Sequence, residues 1–107
     1  MLYELRIYTM NPGKLPDINK RFSEVTLDLF KEHGIKCNDF WQDAEGAEKI
    51  YYICEFADEA AMKAAWASFG SDPRWIKAKD ESHKDGVIVG AVESYKMNRV
   101  PYITPDW

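Results

Sequence analysis

The sequence has few of the residues that metal, redox or nucleophilic sites need. Its 107 residues include only two cysteines, without CxxC spacing, and two histidines, neither with a second ligand at helical spacing. No HExxH motif, glycine-rich phosphate loop or catalytic pattern of serine, histidine and aspartate is present. We therefore expect no metal and no bound cofactor, and we expect His33 and His83 to lie on the surface.

The sequence also lacks long apolar runs and any concentration of charge of one sign. No apolar stretch approaches the ~20 residues of a membrane span, and Glu4 and Arg6 argue against a cleavable apolar signal. Acidic and basic residues are interspersed, with a formal net charge of −4, which disfavours nucleic-acid binding. We expect a cytoplasmic protein that binds neither membranes nor nucleic acid, with Cys37 and Cys54 reduced in the core.

What the sequence does contain is a strand, helix and strand order that occurs twice. With 46% hydrophobic and 30% charged residues, its length suits one globular domain over residues 1–107. The alternation of apolar and polar residues predicts strands over 2–9, 35–43, 49–56 and 87–100. Apolar spacing and capping residues predict helices over about 15–33, 58–69 and 72–85. The tail 101–107 is too rich in proline for the interior of a sheet.

This order predicts a ferredoxin-like βαββαβ fold of the α+β class. Right-handed crossovers would place strands one and three in parallel at the centre of an antiparallel sheet, with both long helices on one face. A symmetric hairpin would pair Cys37 with Cys54, Asp39 with Tyr52 and Trp41 with Ile50. The side chains of all three pairs would face the helices. We expect a homodimer in which a second subunit covers the other face, predicted to carry Glu4, Arg6, Tyr8, Phe40, Tyr51, Ile53 and Glu55.

Segments along nearly the whole chain resemble the NIPSNAP family, in the same order. They are Tyr3–Thr9, Asn11–Gly13, Phe30–Gly34 leading into Phe40 and Trp41, Asp58–Trp66, Asp72–Trp75 and Val92–Ser94. The resemblance implies the dimeric α/β barrel superfamily, in which two ferredoxin-like sheets pack face to face. That superfamily includes cofactor-free quinone-forming monooxygenases, haem-degrading monooxygenases, lactone isomerases and members without known activity.

The resemblance supplies no catalytic residues for this chain. Haem-degrading relatives use an asparagine on the first strand, a tryptophan on the second helix and a histidine. Trp66 and His83 match two of these positions, but the first strand contains no asparagine. We therefore do not adopt a haem site.

Five residues are candidates for a functional site. We predict that Trp41, Tyr52 and Trp66 line a pocket for a flat organic ligand between helices and sheet, with ordinary packing as the alternative. Asp39 in that pocket is a candidate catalytic base, or else a satisfied structural carboxylate. Arg6 is predicted either to pair with a glutamate, Glu55 or Glu93, in the layer between two sheets or to clamp a substrate carboxylate there.

Two functions are compatible with these residues. The first is an enzyme or binder that acts, without a cofactor, on a small aromatic or enone-like metabolite, with monooxygenation as one such activity. The second is a non-catalytic module whose dimer surface or tail binds a partner protein. Sequence alone leaves open whether the protein is an enzyme.

Overall fold

A computed structural model describes residues 1–104 of the chain. The strands are β1 (Leu2–Met10), β2 (Lys36–Gln42), β3 (Lys49–Phe56) and β4 (Val89–Met97). The helical segments are α1 (Leu15–Arg21), a π-helical turn (Phe22–Thr26), α2 (Leu27–Glu32), α3 (Glu59–Gly70) and α4 (Pro73–Ser82). Within residues 1–104, no helix is both long and apolar enough to cross a lipid bilayer.

The four strands form one sheet in the order β2-β3-β1-β4, and every neighbouring pair is antiparallel. The predicted ferredoxin-like fold is confirmed, but the parallel pairing of strands one and three is wrong. The crossover from β1 leads to β2, and the hairpin then reverses the chain before β3. The strand that lies beside β1 therefore runs against it.

The predicted starts of α3 and α4 and the end of α2 are confirmed, whereas α3 includes Gly70 and α4 already ends at Ser82. Asp58 caps α3 by accepting a hydrogen bond from the backbone N–H of Ala61 at 2.8 Å. Asp72 caps α4 in the same way through the N–H of Arg74, at 2.8 Å. Gly34 follows α2 with a φ of 74°, which an L side chain rarely adopts. These signals were readable because each depends on a single residue type at a helix end.

The first helix contains a π-helical turn that its sequence pattern did not predict. The hydroxyl of Thr26 donates to the carbonyl oxygen of Arg21 at 3.1 Å, five residues back. The wider turn widens the buried stripe, so that the consecutive residues Arg21 and Phe22 are both buried. The predicted stripe of apolar residues is otherwise confirmed, with Ile18, Phe22 and Leu29 in the core.

The predicted hairpin register is correct at Cys37 and wrong beyond it. Cys37 lies opposite Cys54, with the two free thiol sulfurs 3.4 Å apart. An irregularity then shifts the pairing, so that Asp39 lies opposite Ile53 instead of Tyr52. One extra residue in a strand moves every following side chain to the other face.

The shift changes which residues of β2 face the helices. Asp39 and Trp41 lie on the uncovered face, where Trp41 pairs with Tyr51 instead of Ile50. Phe40 turns toward the helices and stacks on Tyr52, with ring centroids 4.7 Å apart and planes at 4°. The prediction had assigned these three β2 side chains to the opposite faces.

The faces of β1 are also the reverse of the prediction. Residues 4, 6 and 8 pair with the buried residues Cys54, Tyr52 and Ile50 of β3 and therefore face the helices. Glu4, Arg6 and Tyr8 had been expected on the uncovered face. The polar side of the strand is the covered side because its groups find hydrogen-bond partners there.

The uncovered side of the sheet, called the open face below, has an apolar centre and also carries the charged residues Lys36, Asp39, Lys49, Glu55 and Glu93. It includes Tyr3, Leu5, Ile7, Trp41, Tyr51, Ile53, Tyr95 and Met97. The fourth strand spans Val89–Met97 and is therefore shorter than the predicted range 87–100. Residues 101–104 are not in a strand, as expected for the tail, whose last residues, 105–107, lie outside the described part of the chain.

We predict that ionised Asp72 stabilises the fold in a pH-dependent way. Hydrogen bonds from the side chain of Arg74, from His33 and from the N–H of Arg74 lower the pKa of Asp72. A lowered folded-state pKa contributes stability above the unfolded value of about 3.9, and that stability is lost as the pH falls through the folded value. Asp72→Asn should therefore lower the urea midpoint at neutral pH, and the deficit should shrink below about pH 4.

Asp58→Asn is the matched control, because asparagine caps a helix about as well as aspartate. Its urea midpoint should stay close to that of the wild type at both pH values. A deficit of Asp72→Asn that is constant from neutral to acidic pH would contradict the prediction.

Candidate functional site

A buried carboxylate joins one helix and two strands on the covered side of the sheet. Glu4 of β1 is 3% exposed. Its Oε1 accepts a hydrogen bond from the indole Nε1 of Trp66 on α3 at 2.7 Å. Its Oε2 accepts from Nη1 of Arg6 at 3.0 Å and from the hydroxyl of Ser94 on β4 at 2.5 Å. A buried carboxylate is stable only with such partners.

Arg6 occupies the space between this carboxylate and two phenols. Its Nε donates to the hydroxyl of Tyr52 at 2.8 Å, and its Nη2 donates to that of Tyr8 at 3.4 Å. The guanidinium lies 4.4 Å from the centroid of the Trp66 ring, in cation–π geometry. Burial lowers the pKa of Arg6, but the phenols and Glu4 raise it by more, so the group stays charged.

Tyr52 is a neutral hydrogen-bond donor rather than a base. Tyr52 donates to the hydroxyl oxygen of Tyr8 at 2.8 Å. Burial is the main cause that raises the pKa of Tyr52 well above its ordinary value, and Tyr8 adds to it. Among the described residues the hydroxyl of Tyr8 accepts from Tyr52 and Arg6 and donates to none. Its proton is therefore free to bind another acceptor.

These residues form a single network, called the Glu4 cluster below. Its members are Glu4, Arg6, Tyr8, Tyr52, Trp66 and Ser94. A guanidinium has five N–H donors, and the network uses three of those of Arg6 within residues 1–104. The cluster can therefore donate further hydrogen bonds from Arg6 and Tyr8 to an oxygen atom of a ligand.

The Glu4 cluster is accessible beside β4. Residues 90–96 of that strand are exposed, because the helices do not cover it. Ser94 lies directly opposite Arg6 and Val92 directly opposite Tyr8. The side chain of Arg6 accordingly keeps 19% of its surface exposed. A small molecule can approach the guanidinium and the indole from this edge of the sheet.

A cleft of about 510 Å³ lies between the first helix and β2. Its apolar lining includes Phe22, Phe40, Trp41 and Ile50. The ring of Phe40 stacks on Tyr52, so one aromatic layer separates this cleft from the Glu4 cluster. The cleft offers a flat apolar wall and few charged groups.

The five residues predicted for a site do not lie together. Arg6, Tyr52 and Trp66 meet in the Glu4 cluster, although Arg6 had been placed in the layer between two sheets and paired with another glutamate. Asp39 and Trp41 lie on β2 beyond its irregularity, with both side chains exposed. Asp39 lines a separate open-face cleft of about 410 Å³. The prediction that it shares a pocket with Trp66 is wrong, because the extra residue in β2 reverses its face.

Sequence reasoning missed Glu4 and Ser94 as members of the site. A signal for Glu4 was present, since polar residues at 4, 6 and 8 of a central strand require buried partners if that face is covered. Ser94 gave no such signal, because its role depends on the register between β1 and β4.

The structure also brings together a serine, a histidine and an aspartate that the sequence did not connect. Nε2 of His33 donates to Oδ2 of Asp72 at 2.7 Å, and Nδ1 lies within hydrogen-bonding distance of the hydroxyl of Ser68, at 2.6 Å. His33 is half-buried, which corrects the expected surface position. Ser68 lies inside α3, where backbone N–H groups are engaged by the helix, so this geometry provides no oxyanion hole. The three side chains tie α2 to the junction of α3 and α4.

Cys54 is not a candidate nucleophile. A hydrogen bond to Cys37 and burial raise the pKa of its thiol. A thiol that remains protonated is a poor nucleophile and a poor metal ligand. The cysteines contribute to packing between β2 and β3.

Comparison with known families identifies the chain. The sequence profile of the NIPSNAP family matches residues 3–103. The chain belongs to the NIPSNAP family. The match covers all four strands and all helical segments, as well as every member of the Glu4 cluster. A comparison with curated proteins finds no match.

Solved structures similar to this NIPSNAP chain include uncharacterised members of the family. One from Burkholderia xenovorans is 19% identical, covers 97% of this chain and 99% of its own, and has a TM-score of 0.81. A NIPSNAP family protein of unknown function from Agrobacterium tumefaciens is 21% identical over 98% of this chain and 92% of its own, with a TM-score of 0.83. An antibiotic biosynthesis monooxygenase is 14% identical over 94% of this chain and 100% of its own, with a TM-score of 0.65. Such low identities show a shared fold.

We predict that Glu4→Gln destabilises the protein by about 2 kcal/mol, because it leaves the guanidinium of Arg6 without its counter-ion. The free energy of unfolding from urea titrations measures this loss. The surface pair of Glu59 and Lys96, 2.6 Å apart, provides the control. Glu59→Gln should cost much less than Glu4→Gln, because exposed ion pairs contribute little. Equal losses in both variants would contradict a structural role for the Glu4 carboxylate.

Proposed function

We propose that this NIPSNAP protein binds a small aromatic or enone-like metabolite at the Glu4 cluster and does so as a homodimer. The observation that carries the proposal is the position of Arg6. Its charged guanidinium lies over the face of Trp66, keeps unused N–H donors and is accessible beside β4. Such a group recognises a ligand oxygen, while the indole provides a flat apolar wall.

The cluster also has the groups needed to stabilise negative charge on a ligand oxygen. Arg6 and the free proton of Tyr8 both donate toward the same region, and Glu4 holds the guanidinium in place. Preorganised donors of this kind favour an enolate or phenolate over the neutral compound. Cofactor-independent chemistry on an activated phenol or enone, including monooxygenation with molecular oxygen as oxidant, is the catalytic form of this proposal.

The similarity in fold to an antibiotic biosynthesis monooxygenase supports the catalytic form to a limited extent. Asp39, the base proposed from sequence, is separated from the Glu4 cluster by the sheet. The catalytic role therefore rests on Arg6 and Tyr8 as oxyanion donors, and Asp39 is left as a residue of the open face.

The homodimer is proposed from the composition of the open face. Its apolar side chains lie side by side across all four strands, as with the neighbours Leu5, Ile53 and Tyr95. The described helices lie on the other side of the sheet. An apolar surface of this extent is rarely left in water, and a self-complementary face is covered most simply by a second copy.

A non-catalytic interaction module is the second candidate function, and the exposed residues after β4 favour it. Val100, Tyr102 and Ile103 are exposed apolar side chains outside the sheet, with Tyr102 at 84%. Such a segment suits binding to a partner protein. Under this alternative the Glu4 cluster is purely structural and binds no small molecule.

We predict that Trp66→Leu weakens binding of small aromatic probes roughly tenfold, because it removes the aromatic wall beside Arg6. Cinnamate, cinnamamide and menadione are suitable probes, and calorimetric titration measures their affinities. Tyr95→Leu and Asp39→Asn are matched controls from the open face, and both should bind within about twofold of the wild type.

Loss of affinity in the open-face controls with unchanged affinity in folded Trp66→Leu would move the site to the open face. Absence of binding of all three probes to the wild-type protein would favour the interaction module.

We predict that Ile53→Asp converts the dimer to a monomer, because it places a charge at the centre of the open face. Lys20→Asp changes an exposed residue of α1 and should leave the dimer intact. Sedimentation velocity at micromolar concentration distinguishes the two states. A wild-type protein that sediments only as a 12.4 kDa monomer would contradict the proposed homodimer.

A further inference from the structure

Arg21 is a buried cation with neutral partners only. It lies at the end of α1 and is 8% exposed. Its Nη1 donates to the hydroxyl of Ser82 at 3.1 Å and to Nε2 of His83 at 3.4 Å. Because Nε2 accepts, His83 is neutral in this contact, and burial, Arg21 and Lys79 all lower its pKa.

Arg21 lines a cleft between the first helix and α4 together with the exposed residues Asp17, Glu24, Glu81 and Asp85. It forms no ion pair within residues 1–104. Its Nε is buried and has no hydrogen-bond partner in that part of the chain. Burial lowers the pKa of Arg21, an effect that Tyr8 and Tyr52 partly offset. Burying a guanidinium without an anion costs folding free energy. This cost indicates that Arg21 has a role other than stabilising the fold.

Arg21 and Arg6 flank the same aromatic core. The guanidinium of Arg21 lies 4.9 Å from the centroid of Trp75, much as that of Arg6 lies 4.4 Å from Trp66. Phe69 packs between the two indoles, with centroid distances of 6.1 Å to Trp66 and 4.7 Å to Trp75.

Both cations also act on the phenols of Tyr8 and Tyr52, which influence the pKa of each. The two guanidiniums lie against the two outer rings of the packed series Trp66, Phe69 and Trp75.

Among its buried side chains, the region around these three rings has one positive charge more than it has negative charges. Glu4 is its single buried carboxylate among the described residues, apart from Asp72, and it is bound to Arg6. Asp72 is engaged by Arg74 and His33 at the junction of α3 and α4. The positive charge of Arg21 is what remains.

From this balance we infer that the ligand of the Glu4 cluster is a monoanion and that Arg21 is its second anchor. The class is an aromatic or enone compound with one acidic group, such as a carboxylate, which Arg21 neutralises while the flat part lies against Trp66. The inference rests on the proposed function and adds to it the charge of the ligand and a further binding residue. Guanidinium groups suit carboxylates because two N–H donors match two oxygens.

A matched pair of probes tests the charge of the ligand on the wild-type protein. Cinnamate carries a carboxylate, and cinnamamide has nearly the same shape without the charge. Calorimetric titration should find cinnamate bound at least about tenfold more tightly. Equal affinities would overturn the inference and leave the proposed function in place. Binding of menadione alone would likewise overturn the inference and leave the proposed function in place. Absence of binding of all three probes would overturn both the inference and the proposed function.

Arg21→Met separates a ligand-binding role from a structural one. Methionine keeps much of the packing against Trp75 and removes the unbalanced charge, so the urea midpoint of the unliganded protein should rise. Cinnamate affinity should fall at least about tenfold, to the level of cinnamamide. The control Lys31→Met, at an exposed position of α2, should change neither measurement.

A fall in the midpoint of Arg21→Met together with an unchanged preference for cinnamate would overturn the inference, because Arg21 would then be structural. If Arg21→Met does not fold, the affinity of Arg21→Lys for cinnamate and cinnamamide tests the inference instead. A lysine retains the charge but loses the paired donors, so it should keep part of the preference for cinnamate and weaken its affinity.

Discussion

The hydrogen bonds of the Glu4 carboxylate are the interaction on which the helix side of this protein depends. One oxygen binds the indole of Trp66 on α3, and the other binds Arg6 on β1 and Ser94 on β4. A carboxylate with fewer hydrogen-bond partners would be too costly to bury. A carboxylate exposed to water would not hold Trp66, Arg6 and Ser94 in place. Placing Glu4 inside therefore determines where Arg6, Trp66 and the two phenols lie.

The inward position of these polar groups leaves the apolar side of β1 on the open face. Tyr3, Leu5 and Ile7 alternate with Glu4 and Arg6, so only one of the two sets can face the helices. In this fold the polar set does, and the apolar set lies on the surface where a second subunit is proposed to bind. The buried polar network and the exposed apolar sheet therefore both result from the orientation of β1, whose polar side faces the helices.

The same network gives the helix side its chemical character. Arg6 is charged, and within residues 1–104 Tyr8 donates to no acceptor and Arg21 forms no ion pair. A core of this kind is poorly suited to packing alone, because unbalanced buried charge lowers stability. It is well suited to an acidic or oxyanion-forming ligand, whose binding would complete the set of partners. On this interpretation, the unpaired charge of Arg21 destabilises the free protein, and ligand binding removes that destabilisation by neutralising the charge.

The sequence by itself determined the order of elements, most of the helix ends and the family. These depend on local features, such as apolar spacing, Asp58 and Asp72 at helix starts, and Gly34 at a helix end. The meeting of Tyr52 and Trp66 was also predictable, because they lie on stripes that must meet, whereas Arg6 was assigned to the other face. Arg21 had a signal too, since it stands three residues after Ile18 and four before Val25 on the apolar stripe of the first helix.

The buried face of β3 was predictable, but only the tertiary structure decided which faces β1 and the second part of β2 bury. The irregularity after Cys37 reverses Asp39, Phe40 and Trp41, and nothing in the local pattern of β2 indicates it. The inward turn of Glu4 depends on Trp66 and Ser94, which are 62 and 90 residues away in the chain. A side chain's face in a strand has a period of two, so one inserted residue or one distant hydrogen-bond partner is enough to reverse it.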